Sequence, residues 1–98
     1  MKNISYNNFF MNFSSRSKFD IIMALRDGPL SVSEIAKRVG GEQSAVSHNL
    51  AHLGRCHILN VRQEGKMRLY SLNSETVIPM LETVEKHVEK HCPARCGK

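Results

Sequence analysis

Apolar positions recur at helical spacing through most of the chain and switch to a period of two only once. Tyr6, Phe9, Phe10 and Phe13 stand at i, i+3, i+4 and i+7, which predicts a short helix over residues 3–13 with an aromatic face. Ser14 or Ser15 can cap a second helix through Phe19, Ile22, Met23 and Leu25 to Asp27, ended by Gly28-Pro29. Ser31, with Glu34 three residues on, makes a capping-box pattern ahead of a third helix. Its buried stripe is Val32, Ile35, Ala36 and Val39, and Gly40-Gly41 stops it. From Glu42 to Ile58, Val46, Leu50 and Leu53 give a fourth helix one buried face.

The period then changes. Val61–Gln63 and Met67–Leu72 are short strand candidates around Glu64-Gly65-Lys66, a turn with glycine where a positive φ is needed. A last helix follows Asn73-Ser74 and runs from Val77 to His91, with Pro79 tolerable only because it lies near the first turn. Its apolar stripe is Val77, Leu81, Val84 and Val88, while Glu82, Glu85, Lys86, Glu89 and Lys90 form a solvated face. The expected architecture is mostly α with a small β-hairpin, one domain over residues 1–98, ending in a frayed tail at 92–98. No internal repeat divides it.

Two helices have apolar faces with no obvious cover. A helix as short as residues 3–13 cannot stand alone in water, so its aromatic face packs either on the chain's own core or on a second subunit. The fourth helix poses a different question. Opposite its buried stripe lie Ser44, Ser47, His48, Ala51 and Arg55, small or hydrogen-bonding groups with a single fixed charge. Such a face suits either an ordinary surface helix or one laid against base edges in a DNA major groove. The hairpin favours DNA, because Arg62, Lys66 and Arg68 put three positive charges where a phosphate backbone would pass.

Composition sharpens this picture. The 98 residues carry a formal net charge of +5, which fits a polyanionic partner. No apolar run approaches the ~20 residues that span a bilayer. The N-terminus makes a poor signal peptide, so the expected compartment is the cytoplasm, with no membrane partner. Three cysteines, an odd number, argue against a disulfide scaffold. There is no phosphate loop, no paired carboxylates and no nucleophile–base set on rigid elements, so no enzyme is expected. Cys56 and His57 are adjacent, and neighbours on a helix point about 100° apart and make no dyad.

From Leu30 to Leu72 the chain resembles a known family. GPLSVSEIAKRVG, then QSAVSHNLAHL, then VRQEGKMRLYSL, is similar to the winged helix-turn-helix of the ArsR/SmtB repressors, over roughly residues 15–91. His48-Asn49 departs slightly from the family's helix pattern. The resemblance implies an α-α-α-α-β-β-α fold, with residues 15–73 as DNA-binding core and wing. It implies a homodimer formed by the first helix (residues 1–14) and the last (74–91), matching the Tyr6/Phe9/Phe10/Phe13 and Val77/Leu81/Val84/Val88 stripes. It assigns base contacts to Gln43, Ser44, Ser47 and His48, and backbone contacts to Arg62, Lys66 and Arg68. With so little charge on the reading face, counterion release falls to the hairpin and to Lys37, Arg38 and Arg55. The implied function is double-stranded DNA binding at an inverted repeat, as a repressor. The rival class is a winged helix used for protein binding, because the same fold serves both.

The family's metal sites can be checked position by position. Where one site has two cysteines at the start of the third helix, this chain has Ser31 and Ser33, poor ligands for thiophilic ions. Where another has carboxylates and histidines, it has Ser74, Thr76, His87 and Lys90. A third arrangement in the family uses a cysteine pair on the recognition helix with a C-terminal cysteine, and here the pair reads His52-x3-Cys56. The tail adds His87, His91, Cys92 and Cys96. Thiolate and imidazole donors suit Zn2+, Cd2+ or Pb2+. Against this, Cys56 reads equally as a small residue filling the turn before the hairpin, and Cys92 and Cys96 as a thiol pair able to close to a disulfide. Metal release, redox release and no inducer at all remain open.

Overall fold

The apolar stripes close on one core. In this computed structural model, which describes residues 3–92, five helices and a hairpin follow in the expected order: α1 Asn3–Ser14, α2 Arg16–Ala24, α3 Val32–Val39, α4 Gln43–Arg55, β1 Leu59–Glu64, β2 Met67–Leu72 and α5 Val77–His91. The core takes Ile21, Ile22 and Leu25 from α2 and its end, Ile35 and Ala36 from α3, and Val46, Leu50 and Leu53 from α4. Ile58, Leu59, Leu72, Val77 and Leu81 complete it from the hairpin roots and the start of α5.

Local chemistry sets the ends of these helices. The Ser15 hydroxyl accepts from the Lys18 amide at the start of α2. A 3-10 turn over Leu25–Asp27 tightens the end of that helix, which the sequence predicts as continuous α-helix. Ser31 forms the full capping box of α3: its Oγ accepts from the Glu34 amide at 3.3 Å, and Glu34 Oε1 accepts from the Ser31 amide at 2.8 Å. These bonds hold the Glu34 carboxyl below the usual carboxylate range. Gly40 then takes a left-handed φ of 72° to stop α3 and turn the chain into α4.

The fourth helix is shorter than the stretch to Ile58 that its sequence suggests. It ends at Arg55, and His57 adopts φ 58°, a left-handed conformation uncommon outside glycine. That kink, with the Ile58 amide donating to the Leu53 carbonyl at 3.1 Å, redirects the chain into β1. Asn73 ties the far side. Its Nδ2 donates to the His57 carbonyl at 3.0 Å, and its Oδ1 accepts from the amides of Glu75 and Thr76 ahead of α5.

The hairpin is antiparallel, pairing Leu59 with Leu72, Val61 with Tyr70 and Glu64 with Met67 across Gly65-Lys66, and Gly65 supplies the positive φ (61°). Leu30 and Tyr70 also exchange both backbone hydrogen bonds, at 3.0 and 2.8 Å. This single bridge fastens the wing to the loop that feeds α3. On the other side, Arg26 Nη2 donates to Glu85 Oε1 at 2.8 Å, pinning α5 to the end of α2.

The two stripes expected at a dimer interface are each split. Val77 and Leu81 are buried in the chain's own core, because the start of α5 lies over it. Val84 and Val88 stay exposed. Along α1, Phe9 and Phe13 pack against the core, with ring centroids 5.1 Å apart, whereas Tyr6, Phe10 and Met11 face outward.

Candidate nucleic-acid interface

The polar face of α4 is held out by what its other face buries. Val46, Leu50 and Leu53 lie in the core, and Gln43, Ser44, Ser47, His48 and Arg55 are all exposed. Two polar ties seat the helix on α2: Asn49 Nδ2 donates to Ser17 Oγ at 3.3 Å, and Lys18 Nζ lies 3.0 Å from His52 Nδ1. An ammonium can only donate, so His52 accepts through a neutral ring. Partial burial, then the charges of Lys18 and Arg55 with His48 beside them, hold His52 below the usual histidine range.

Charges around the helix are less interchangeable than the sequence implies. Arg38 has partners within the fold, its Nη1 lying 3.3 Å from both the Ala24 carbonyl and Asp27 Oδ2. These contacts lie at the end of α2 and leave the Arg38 side chain half-exposed. Lys37 and Arg55 are exposed. On the hairpin, Lys66 sits exposed at the turn, but Arg62 and Arg68 occupy opposite faces. Pairing of Gln63 with Arg68 and Arg62 with Leu69 puts Arg68 on the side of Val61 and Tyr70. Arg62 Nη2 is 3.0 Å from Glu64 Oε2, two residues along its own strand. Strand parity in the sequence carries this distinction once the register is known.

The metal-ligand candidates do not converge. Among the described residues, no group of three or more His, Cys, Asp and Glu side chains could hold a metal ion. His52 has its Nδ1 engaged by Lys18, and Cys56 is half-buried against the core, as a residue filling the turn would be. His87 and His91 stack one turn apart, ring centroids at 4.9 Å, on an exposed stretch of α5, and Cys92 caps that helix. Cys96 lies outside the described residues. Ser31 and Ser33 sit with their hydroxyls 3.3 Å apart, Ser31 buried in its capping role. Among the described residues, the candidate donors of one chain are not gathered at one point. No helix among the described residues is long and apolar enough to cross a membrane.

Comparison with known proteins agrees with this geometry. Residues 15–61 match the model of the bacterial regulatory protein, arsR family. The chain is 37% identical over 73 residues to the HTH-type transcriptional regulator NmtR of Mycobacterium tuberculosis, a match covering 74% of this chain and 61% of NmtR. It is 34% identical over 73 residues to the transcriptional activator HlyU of Vibrio cholerae, covering 74% of this chain and 68% of HlyU. The solved structure of that HlyU superposes with a TM-score of 0.76 at 29% identity, over 94% of this chain and 99% of HlyU. At the level of fold alone, a homodimeric winged helix-turn-helix DNA-binding domain from Mycobacterium bovis matches with a TM-score of 0.80 at 22% identity, over 89% of this chain and 81% of that one. Capped α3, turn, exposed polar face on α4, and a hairpin wing bearing cations thus fit one assignment, and the chain belongs to the arsR family of bacterial regulatory proteins, which are helix-turn-helix transcriptional regulators.

Proposed function

We propose that the chain acts as a homodimer on an inverted-repeat duplex, with α4 of each copy in a major groove and the wing on the flanking backbone. One observation carries this reading: α4 spends its whole apolar stripe on the core and leaves Gln43, Ser44, Ser47 and His48 exposed. Gln and Ser side chains bond base edges, while Lys66 and Arg68 neutralise phosphates. The dimer is supported by the apolar side chains the monomer leaves exposed, Tyr6 and Phe10 on α1 and Val84 and Val88 on α5. Two-fold symmetry then asks for half-sites about one helical turn apart. A dimer seated across both half-sites covers the duplex between them, so regulation is by occlusion, as a repressor.

Binding to an inverted-repeat duplex from the chain's own promoter, followed by fluorescence anisotropy against salt, tests the reading. Lys66→Ala should weaken binding to every sequence alike, and Gln43→Ala should relax preference at one base pair. A complete absence of salt-dependent duplex binding would point instead to a winged helix that binds protein.

A further inference from the structure

Asn73 holds the exit of α4 and the entry of α5 at once. Its backbone amide donates to the Ile58 carbonyl at 2.9 Å, and its Nδ2 donates to the neighbouring His57 carbonyl at 3.0 Å. On the other side, Oδ1 accepts from the amides of Glu75 at 2.9 Å and Thr76 at 3.2 Å. The Asn73 carbonyl accepts from the amides of Val77 and Ile78, both at 3.1 Å. A side-chain amide suits this post because it donates and accepts together, which a carboxylate cannot. The carbonyl that Nδ2 holds belongs to His57, whose left-handed φ of 58° persists only where its surroundings fix it.

In a homodimer joined through α5 and reading through α4, the angle between these helices sets how far apart and how rotated the two readers stand. Burial of Val77 and Leu81 keeps the start of α5 on the core, but apolar burial is non-directional. Two directional ties add to it. The Arg26–Glu85 pair joins α5 to the end of α2, and Asn73 joins α5 to the end of α4 itself. We propose that Asn73 is a positioning residue for operator spacing: by fixing α4 against α5, it makes the dimer select one separation of its half-sites. The proposal rests on the reading of the chain as a homodimer on an inverted repeat. One added base pair moves a half-site by about 3.4 Å and turns it by about 35°, and a fixed junction cannot follow both.

The test is anisotropy of the intact protein on labelled inverted-repeat duplexes from the chain's own promoter. Their spacers are native, one base pair shorter or one longer, and a further duplex carries a single half-site. Wild type should lose at least about tenfold in affinity on either altered spacer, as much as a mismatched base pair costs. Asn73→Asp keeps the acceptor for Glu75 and Thr76 and loses the donor to His57. It should flatten that penalty to within about threefold while binding the single half-site as wild type does, and Asn73→Ala should flatten it too. Ser31→Ala, which loosens the fold at a different cap, should keep the full penalty. A full penalty in Asn73→Asp, weakened binding of that variant to the single half-site, a flattened penalty in Ser31→Ala, or a wild type indifferent to spacing overturns the proposal and leaves the dimer standing. A wild type that sediments as a monomer on the inverted repeat overturns both together.

Discussion

Two helices, α4 and α5, carry apolar stripes of nearly the same pattern, and the fold uses them differently. On α4, Val46, Leu50 and Leu53 are exposed by 3%, 1% and 0%. On α5, Val77 and Leu81 are as deeply placed, at 1% and 7%, but Val84 and Val88 are exposed by 48% and 44%. The stripe on α4 is therefore satisfied within the chain, and its opposite face is left free to be polar and to read a ligand. The stripe on α5 is satisfied for two turns and then runs out of core. Its remainder is an apolar surface that a lone monomer leaves wet, and the proposed dimer is the assembly that would cover it.

The sharpest break of this comparison is in stability. Leu53→Ala should cost about 2–5 kcal/mol, a large share of the roughly 5–15 kcal/mol that holds a small domain together. Val88→Ala should stay within about 0.5 kcal/mol when the monomer is measured. Urea denaturation at low protein concentration reads both, and comparable midpoint losses would erase the distinction. Next in size is the effect of charge on the α5 surface. Val84→Glu with Val88→Glu should turn a dimer into a monomer in sedimentation experiments and weaken binding to an inverted repeat at least tenfold. Folded-state stability of the monomer should stay near that of wild type, and an unchanged dimer would show that α5 is not the contact.

Smaller effects probe how α4 is held. Ser31→Ala removes the α3 cap at a cost of about 1 kcal/mol, which lowers the thermal midpoint by roughly 4–8 °C in a domain of this size. Calorimetry decides it, and no shift would mean the box contributes nothing. The smallest effect is on pH. His52 is held below its ordinary range, so the unfolded chain binds its proton more readily than the folded one. Stability from this residue is fully present above about pH 6.5, its unfolded value, and is lost as pH falls from there through the lower folded value. His52→Gln, which can still accept from Lys18, should flatten that slope in pH-dependent denaturation. An identical slope in the variant rules His52 out as its source.

The sequence shows the order of elements plainly, because each helix has a period, a stop and often a cap. The last helix is legible to its ends, Val77 to His91, and the Ser31–Glu34 box is legible as a pair. What periodicity omits is the identity of the neighbour. It marks Val77 and Leu81 as apolar in the same terms as Val84 and Val88, and only packing tells core from surface. Isolated contacts leave no pattern at all: the Leu30–Tyr70 bridge is one residue long, and the Arg38 contacts with Ala24 and Asp27 depend on how α3 crosses α2. The polar face of α4 is visible in its side chains. The difference between Arg62 and Arg68 is not, because strand parity carries meaning only when the register is fixed.

The serine pair at the start of α3 has an evolutionary consequence. In the family's two-cysteine arrangement the ligands would stand at positions 31 and 33, and here the two hydroxyls already lie 3.3 Å apart. Two substitutions would therefore place a thiol pair side by side. The cost is at the helix cap: a metal-bound thiolate still accepts an amide hydrogen bond, but sulfur is a weaker acceptor than the Ser31 hydroxyl that now receives the Glu34 amide. A lineage taking that route would trade a strong cap for a weaker one, so that the start of α3 would be firmest when an ion held it.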